Sequence, residues 1–129
     1  MPAGERSPFT YTIVRVVPRV ERGERFNAGV VLYCRQRGFL DARVALDERR
    51  LAALARDLPA DVVRPHLDAL VRIAQGDPAA GPVAALPQAE RFGWLAAPSS
   101  TIIQPSPVHT GLTENPEGEL DRLLRRLVS

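Results

Sequence analysis

Gly23-Glu24-Arg25-Phe26-Asn27-Ala28-Gly29-Val30-Val31-Leu32-Tyr33 sets a carboxylate, an amide and a glycine directly before a run of branched and aromatic residues. Val30, Val31 and Tyr33 favour a pleated surface. The run has no polar interruption, which points to a central strand covered on both faces. Asn27 takes turn conformations readily and bonds nearby backbone. Gly29 at the head of the strand marks a bulge or a close backbone approach. Two readings of the polar residues stand side by side. In the structural one, Asn27 closes a turn, Glu24 offers its oxygens to loop amides, and Gly29 makes room for a neighbour. In the functional one, Glu24 and Asn27 lie at a strand edge beside Arg15 and bind a polar ligand.

Working outward, Phe9 to Val17 alternates as a first strand, and Pro18, which lacks an N–H, ends it. Residues 1–8, polar with two prolines, are expected as a loose tail, and Arg19 to Arg25 as a charged connection. The second strand runs from about Ala28 to Cys34. Arg35-Gln36-Arg37-Gly38 reads as a hairpin turn, and Phe39 to Leu46 as a third strand. Its Asp41 and Arg43 share a face, which is expected to be wet.

Asp47 suits the N-cap of a short helix carrying Leu51, Leu54 and Leu58. A second helix, from about Val63 to Gln75, takes Pro65 in its first turn and places Leu67, Leu70, Val71 and Ala74 on one stripe. His66 stands at the rim of that stripe. The glycines and prolines of residues 76–87 predict an irregular crossing loop. Pro87 opens a short helix that docks Phe92, Trp94 and Leu95 on the core. Thr101 to Gln104 forms a short fourth strand, and residues 105–114 a loop holding His109. Asn115 caps a last helix with Pro116 at its first position. Leu120, Leu123, Leu124 and Leu127 then recur at helical spacing. This order predicts one α+β domain over residues 1–129, with an antiparallel sheet of about four strands and helices packed on one face.

Composition bounds the function classes. At 129 residues one domain with its own core is expected. Cys34 is the one cysteine, so no disulfide forms within the chain, and its apolar setting suits a buried, inert thiol in a reducing compartment. The first residues carry no apolar signal core, and no run approaches a membrane span. A cytoplasmic protein without membrane contact is expected. All basic side chains are arginines, ten against six carboxylates in residues 1–50 and seven against nine in residues 51–129. The basic first half can meet phosphates, but it lacks the interleaved aromatics of a single-strand platform, and a solvated basic face is the simpler reading.

The spacing Arg15-x-x-Pro18, then Gly23-Glu24-x-x-Asn27-x-Gly29-Val30-Val31, resembles a bacterial domain-of-unknown-function family, number 3037. That family shows an aromatic-rich first strand, a proline, then Glu-x-x-Asn-x-Gly-Val. The resemblance extends from Tyr11 to the leucine-rich end. It carries no activity over to this chain. It implies a kinase-like protein partner, because members are often encoded beside a kinase-like protein of the persistence-toxin type.

No dinucleotide or P-loop glycine pattern and no nucleophile elbow occurs. Two distant histidines and one thiol do not make a zinc site, and no metal or cofactor is expected. The candidate binding residues are Arg15, Glu24, Asn27, Gly29 and His109, the last because a loop histidine can serve as ligand or base. Three classes follow. The first is a non-catalytic interaction or accessory module partnering a kinase-like protein. The second is a phosphate or nucleic-acid binder using Arg15, Arg19, Arg22 and Arg25. The third is a small hydrolase or transferase using Glu24, Asn27 and His109. Oligomeric state is left open.

Overall fold

Ten alternating residues, Ser7–Val16, form the long strand β1. The computed structural model describes residues 5–19, 22–98 and 101–128. Residues 1–4 of the expected tail and Val20 and Glu21 of the expected connection lie outside that description. The expected tail gives way at Ser7, which is buried and accepts a hydrogen bond from Arg37 Nε at 2.9 Å. Strand β2 (Phe26–Cys34) pairs antiparallel with β1, and β3 (Phe39–Val44) antiparallel with β2. Their link is a 3-10 turn, Arg35–Arg37, ended by Gly38 at φ 59°, a left-handed conformation that suits glycine.

Two short strands share the other side of β1. Strand β4 (Ile103–Pro105) pairs with Val14 to Val16, and β5 (His109–Thr113) pairs with Ser7 to Tyr11. The sheet is thus antiparallel and five-stranded, in the order β3-β2-β1-β4 with β5 also beside β1. The loop expected over 105–114 holds a strand because β4 satisfies only three residues of the ten in β1. Pro105 and Pro107 cannot donate to the ladder between β4 and β5. Ser106 takes over there. Its N–H donates to the Ile13 carbonyl at 2.8 Å, and its Oγ accepts from the Ile13 N–H at 2.8 Å. Thr12 Oγ1 donates to its carbonyl at 2.7 Å, and both side chains are buried.

A bulge in β2 decides the layering. Val14 faces Gly29 and Arg15 faces Asn27, so Ala28 is the extra residue. Phe26, Ala28 and Val31 enter one core, while Val30, Leu32 and Cys34 enter another on the opposite face. The first core is closed by α1 (Glu48–Leu54), α2 (Ala60–Gln75) and α3 (Gln88–Ala96). The second is closed by α4 (Pro116–Leu127), through Leu120 and Leu123.

The α+β class with an antiparallel sheet holds, but its helices lie on both faces rather than one. The cause is the unbroken apolar run of β2, which needs two covers. The face expected to be wet is therefore the one under α4. Arg43 there ion-pairs with Asp121, and with Glu117 at 3.5 Å.

The caps follow the sequence. Asp47 Oδ1 accepts from the Arg49 and Arg50 N–H groups at 3.1 Å, and Asn115 Oδ1 from that of Gly118 at 3.1 Å. Helix α2 begins at Ala60, so Pro65 falls beyond its first turn. Residues 76–87 hold two short 3-10 turns, Pro78–Ala80 and Pro82–Ala85. On α3, Phe92 and Leu95 are buried but Trp94 is 54% exposed, contrary to the expectation that all three dock on the core. Two helical steps rotate Trp94 about 200° from Phe92, onto another side of the helix.

Candidate functional site

Arg15 leaves the middle of the sheet on the α4 face, opposite the side taken by Val14 and Val16. In register it stands between Asn27 on β2 and Gln104 on β4, which makes a polar row across three strands. Asn27 Nδ2 donates to the carbonyl of Leu127 at 3.0 Å. The amide thus holds the C-terminal end of α4, where carbonyls lack helical partners, instead of closing its own turn. Gln104 Nε2 donates to the Thr101 carbonyl at 3.0 Å.

The other predicted residues have their own neighbours. Glu24 ion-pairs with Arg22 at 2.7 Å. Gly29 is pressed against β3: a Cβ there would lie 2.7 Å from the Arg43 carbonyl oxygen and 2.8 Å from Val44 Cγ1. His109 is exposed in β5, opposite Tyr11, with the two rings stacked at 5.1 Å between centroids. Tyr11 precedes Arg15 by four residues on β1, or about 13 Å along the strand. Arg15 and Asn27 are therefore side by side, while His109 is separate from both.

The charge at this end of the sheet is uneven. Arg22 is matched by Glu24, and Arg19 reaches Asp57 at 3.4 Å. The guanidinium groups of Arg15 and Arg25 have no hydrogen-bond or ion-pair partner among the described residues. Burial, and secondly the positive charge of Arg25, lower the pKa of the Arg15 guanidinium from its ordinary value.

A second feature escaped the sequence. A groove of about 480 Å³ opens between α2, α3 and β4. Val14 and Ile103 form its floor, Leu70, Ile73 and Leu95 its walls, and His66 and Trp94 also line it. It lies where α2 and α3, which pack mainly over β2 and β3, meet the β1–β4 side of the sheet. The exposed apolar residue Val108 precedes β5, whereas exposed Leu112, opposite Pro8 at the other end of β1, lines a separate hollow with Arg6, Asn115 and Arg122. The available signal was helical phase: Phe92 and Leu95 fix the buried side of α3 and turn Trp94 away from it.

The antiparallel five-stranded sheet, its two helical covers and the Asn27 tie define an α+β domain. The chain matches the family model described as Protein of unknown function (DUF3037) over residues 11–128 and belongs to that family. No curated protein and no solved structure matches it.

Proposed function

We propose that this chain is a bacterial cytoplasmic interaction module that docks an apolar segment of a partner protein on its β4/β5 side. The observation that carries this reading is the groove anchored by Trp94, which is 54% exposed beside an apolar floor. Tryptophan is among the side chains enriched in the few positions that carry most of the binding energy at protein interfaces. A contiguous apolar surface such as this groove is also a usual mark of an interaction site. The kinase-like protein that the family resemblance implies is the partner to test first.

The experiment co-expresses the two chains and follows them by size exclusion. The expected result is a complex that Trp94→Ser and Leu70→Ser each weaken at least tenfold, while the melting temperature of Trp94→Ser stays near that of the parent. A complex indifferent to both substitutions, or no complex with that partner, contradicts the proposal.

A further inference from the structure

Strand β5 is an edge of the sheet, and the bonds of β1 fix which of its backbone groups face outward. Ile13 of β1 bonds Ser106, and the Val17 N–H donates to the Ile102 carbonyl, both on the β4/β5 side. The Pro8 carbonyl instead accepts from Cys34 Sγ of β2 at 3.4 Å. Odd-numbered residues of β1 therefore turn their N–H and C=O groups toward β5, and even-numbered ones toward β2. Ser7, Phe9 and Tyr11 thus form the hydrogen-bonded pairs with Thr113, Gly111 and His109. Thr110 and Leu112, which alternate with these, direct their N–H and C=O groups away from the sheet. Among the described residues β5 pairs with β1 alone, and nothing else meets those groups. Thr110 is exposed, and Leu112 is 59% exposed. Monomeric proteins blunt such an edge with charge, proline or a covering element. His109-Thr110-Gly111-Leu112-Thr113 has no carboxylate, arginine or proline, whereas β3 at the other edge carries Asp41 and Arg43.

We infer that two copies of this chain pair through β5, edge to edge and antiparallel, about a two-fold axis at Gly111. One register sets the whole strand against itself: His109 opposite Thr113 of the second copy, Thr110 opposite its Leu112, and Gly111 opposite its Gly111. Thr110 and Leu112 are then hydrogen-bonded partners across the axis, so every outward group of both strands is satisfied. A slip of one residue sets outward groups against inward ones and loses the match. At the axis the two backbones come closest, and Gly111, covered on one face by the Phe9 ring, brings no side chain into the contact. A contact of this kind is isologous and closes at two copies. Five residues from each chain make a small interface, so the association is weak and depends on concentration. None of the five lines the Trp94 groove, so this pairing stands apart from the docking of a partner there.

The test follows the mass of the full chain by sedimentation from micromolar to millimolar concentration, and its backbone amide exchange by NMR. The mass is expected to rise from one chain toward two. Over the same range the Thr110 and Leu112 amides should slow their exchange at least tenfold, while that of Gly111, already bonded to β1, stays slow throughout. Thr110→Pro removes an outward N–H that β1 does not use, a position where a strand tolerates proline. Leu112→Lys puts a charge on the edge. Both variants are expected to remain single chains at millimolar concentration, and when dilute to melt near the parent temperature. Trp94→Ser should dimerise as the parent does. A chain that stays single at every concentration leaves the edge to an extended segment of another protein and overturns the inference. So do a mass that grows beyond two copies, exchange at Thr110 and Leu112 that ignores concentration, or a dimer that survives Leu112→Lys but not Trp94→Ser.

Discussion

Asn27 shows how one side chain can look like a ligand group and act as a tie. Its amide spans 100 residues of chain to reach the last carbonyl of α4. Asn27→Ala strands that carbonyl, and losing a partner to a buried or half-buried polar group costs about 1–3 kcal/mol. His109→Ala removes a ring from an exposed stack and should stay within about 0.5 kcal/mol. Urea unfolding of the two variants checks this ranking, and equal midpoints contradict it. Ser106 makes a parallel case between two prolines that cannot donate. Ser106→Ala leaves the Ile13 N–H without its acceptor at 2.8 Å, and should also cost about 1–3 kcal/mol. Gly29→Ala drives a Cβ to 2.7 Å from a backbone oxygen of β3. Because backbone cannot rotate away as a side-chain tip can, its loss is expected at the upper end of the about 1–3 kcal/mol range for overpacking. A Gly29→Ala midpoint equal to that of the parent would show that β3 shifts freely there.

The elements were legible where local chemistry sets them. Asp47 and Asn115 announced the starts of α1 and α4, the alternation of β1 announced a first strand, and the run of β2 announced a central one. What the sequence hid was non-local. Strand β5 forms because β1 outruns β4, a mismatch in length that no window around His109 contains. The second cover was signalled by Val30, Val31 and Leu32, since a strand apolar on both faces needs two. The fold-class expectation of helices on one face did not carry that requirement through. Among the candidate residues, Arg15 and Asn27 were brought together because the hairpin register follows from the strands. His109 was not, because it belongs to a strand the sequence did not reveal.

Helix α4 follows from this as part of the core. Leu120 and Leu123 are buried against Val30, Leu32 and Cys34, and each leucine so placed contributes roughly 1.5–3 kcal/mol. Arg43 adds ion pairs to Asp121 and Glu117, and Asn27 holds the far end. Truncation after Glu114 should leave the chain unfolded or aggregating, because small domains hold only about 5–15 kcal/mol in total. A shortened chain with an unchanged urea midpoint would show instead that α4 is a separable docking helix.

On the scale of the whole molecule, the helices of both layers pack on β2 and β3. One edge of the sheet is well protected. At β3, the Asp41 carboxylate accepts the N–H of Ala42 at 2.8 Å, and Arg43 is tied into α4. Such charged, self-satisfied edges resist pairing with other chains. On the opposite side, Trp94 and Val108 are exposed large apolar residues among those described. This asymmetry is the basis for assigning the docking face, and Trp94 reports on it directly because it is the chain's one tryptophan. The measurement is its emission and acrylamide quenching in the complex with the kinase-like partner, using a tryptophan-free version of that partner. Docking on the β4/β5 side predicts a blue-shifted emission and a several-fold fall in quenching as the complex forms. Unchanged emission and quenching in a complex that demonstrably forms would contradict it.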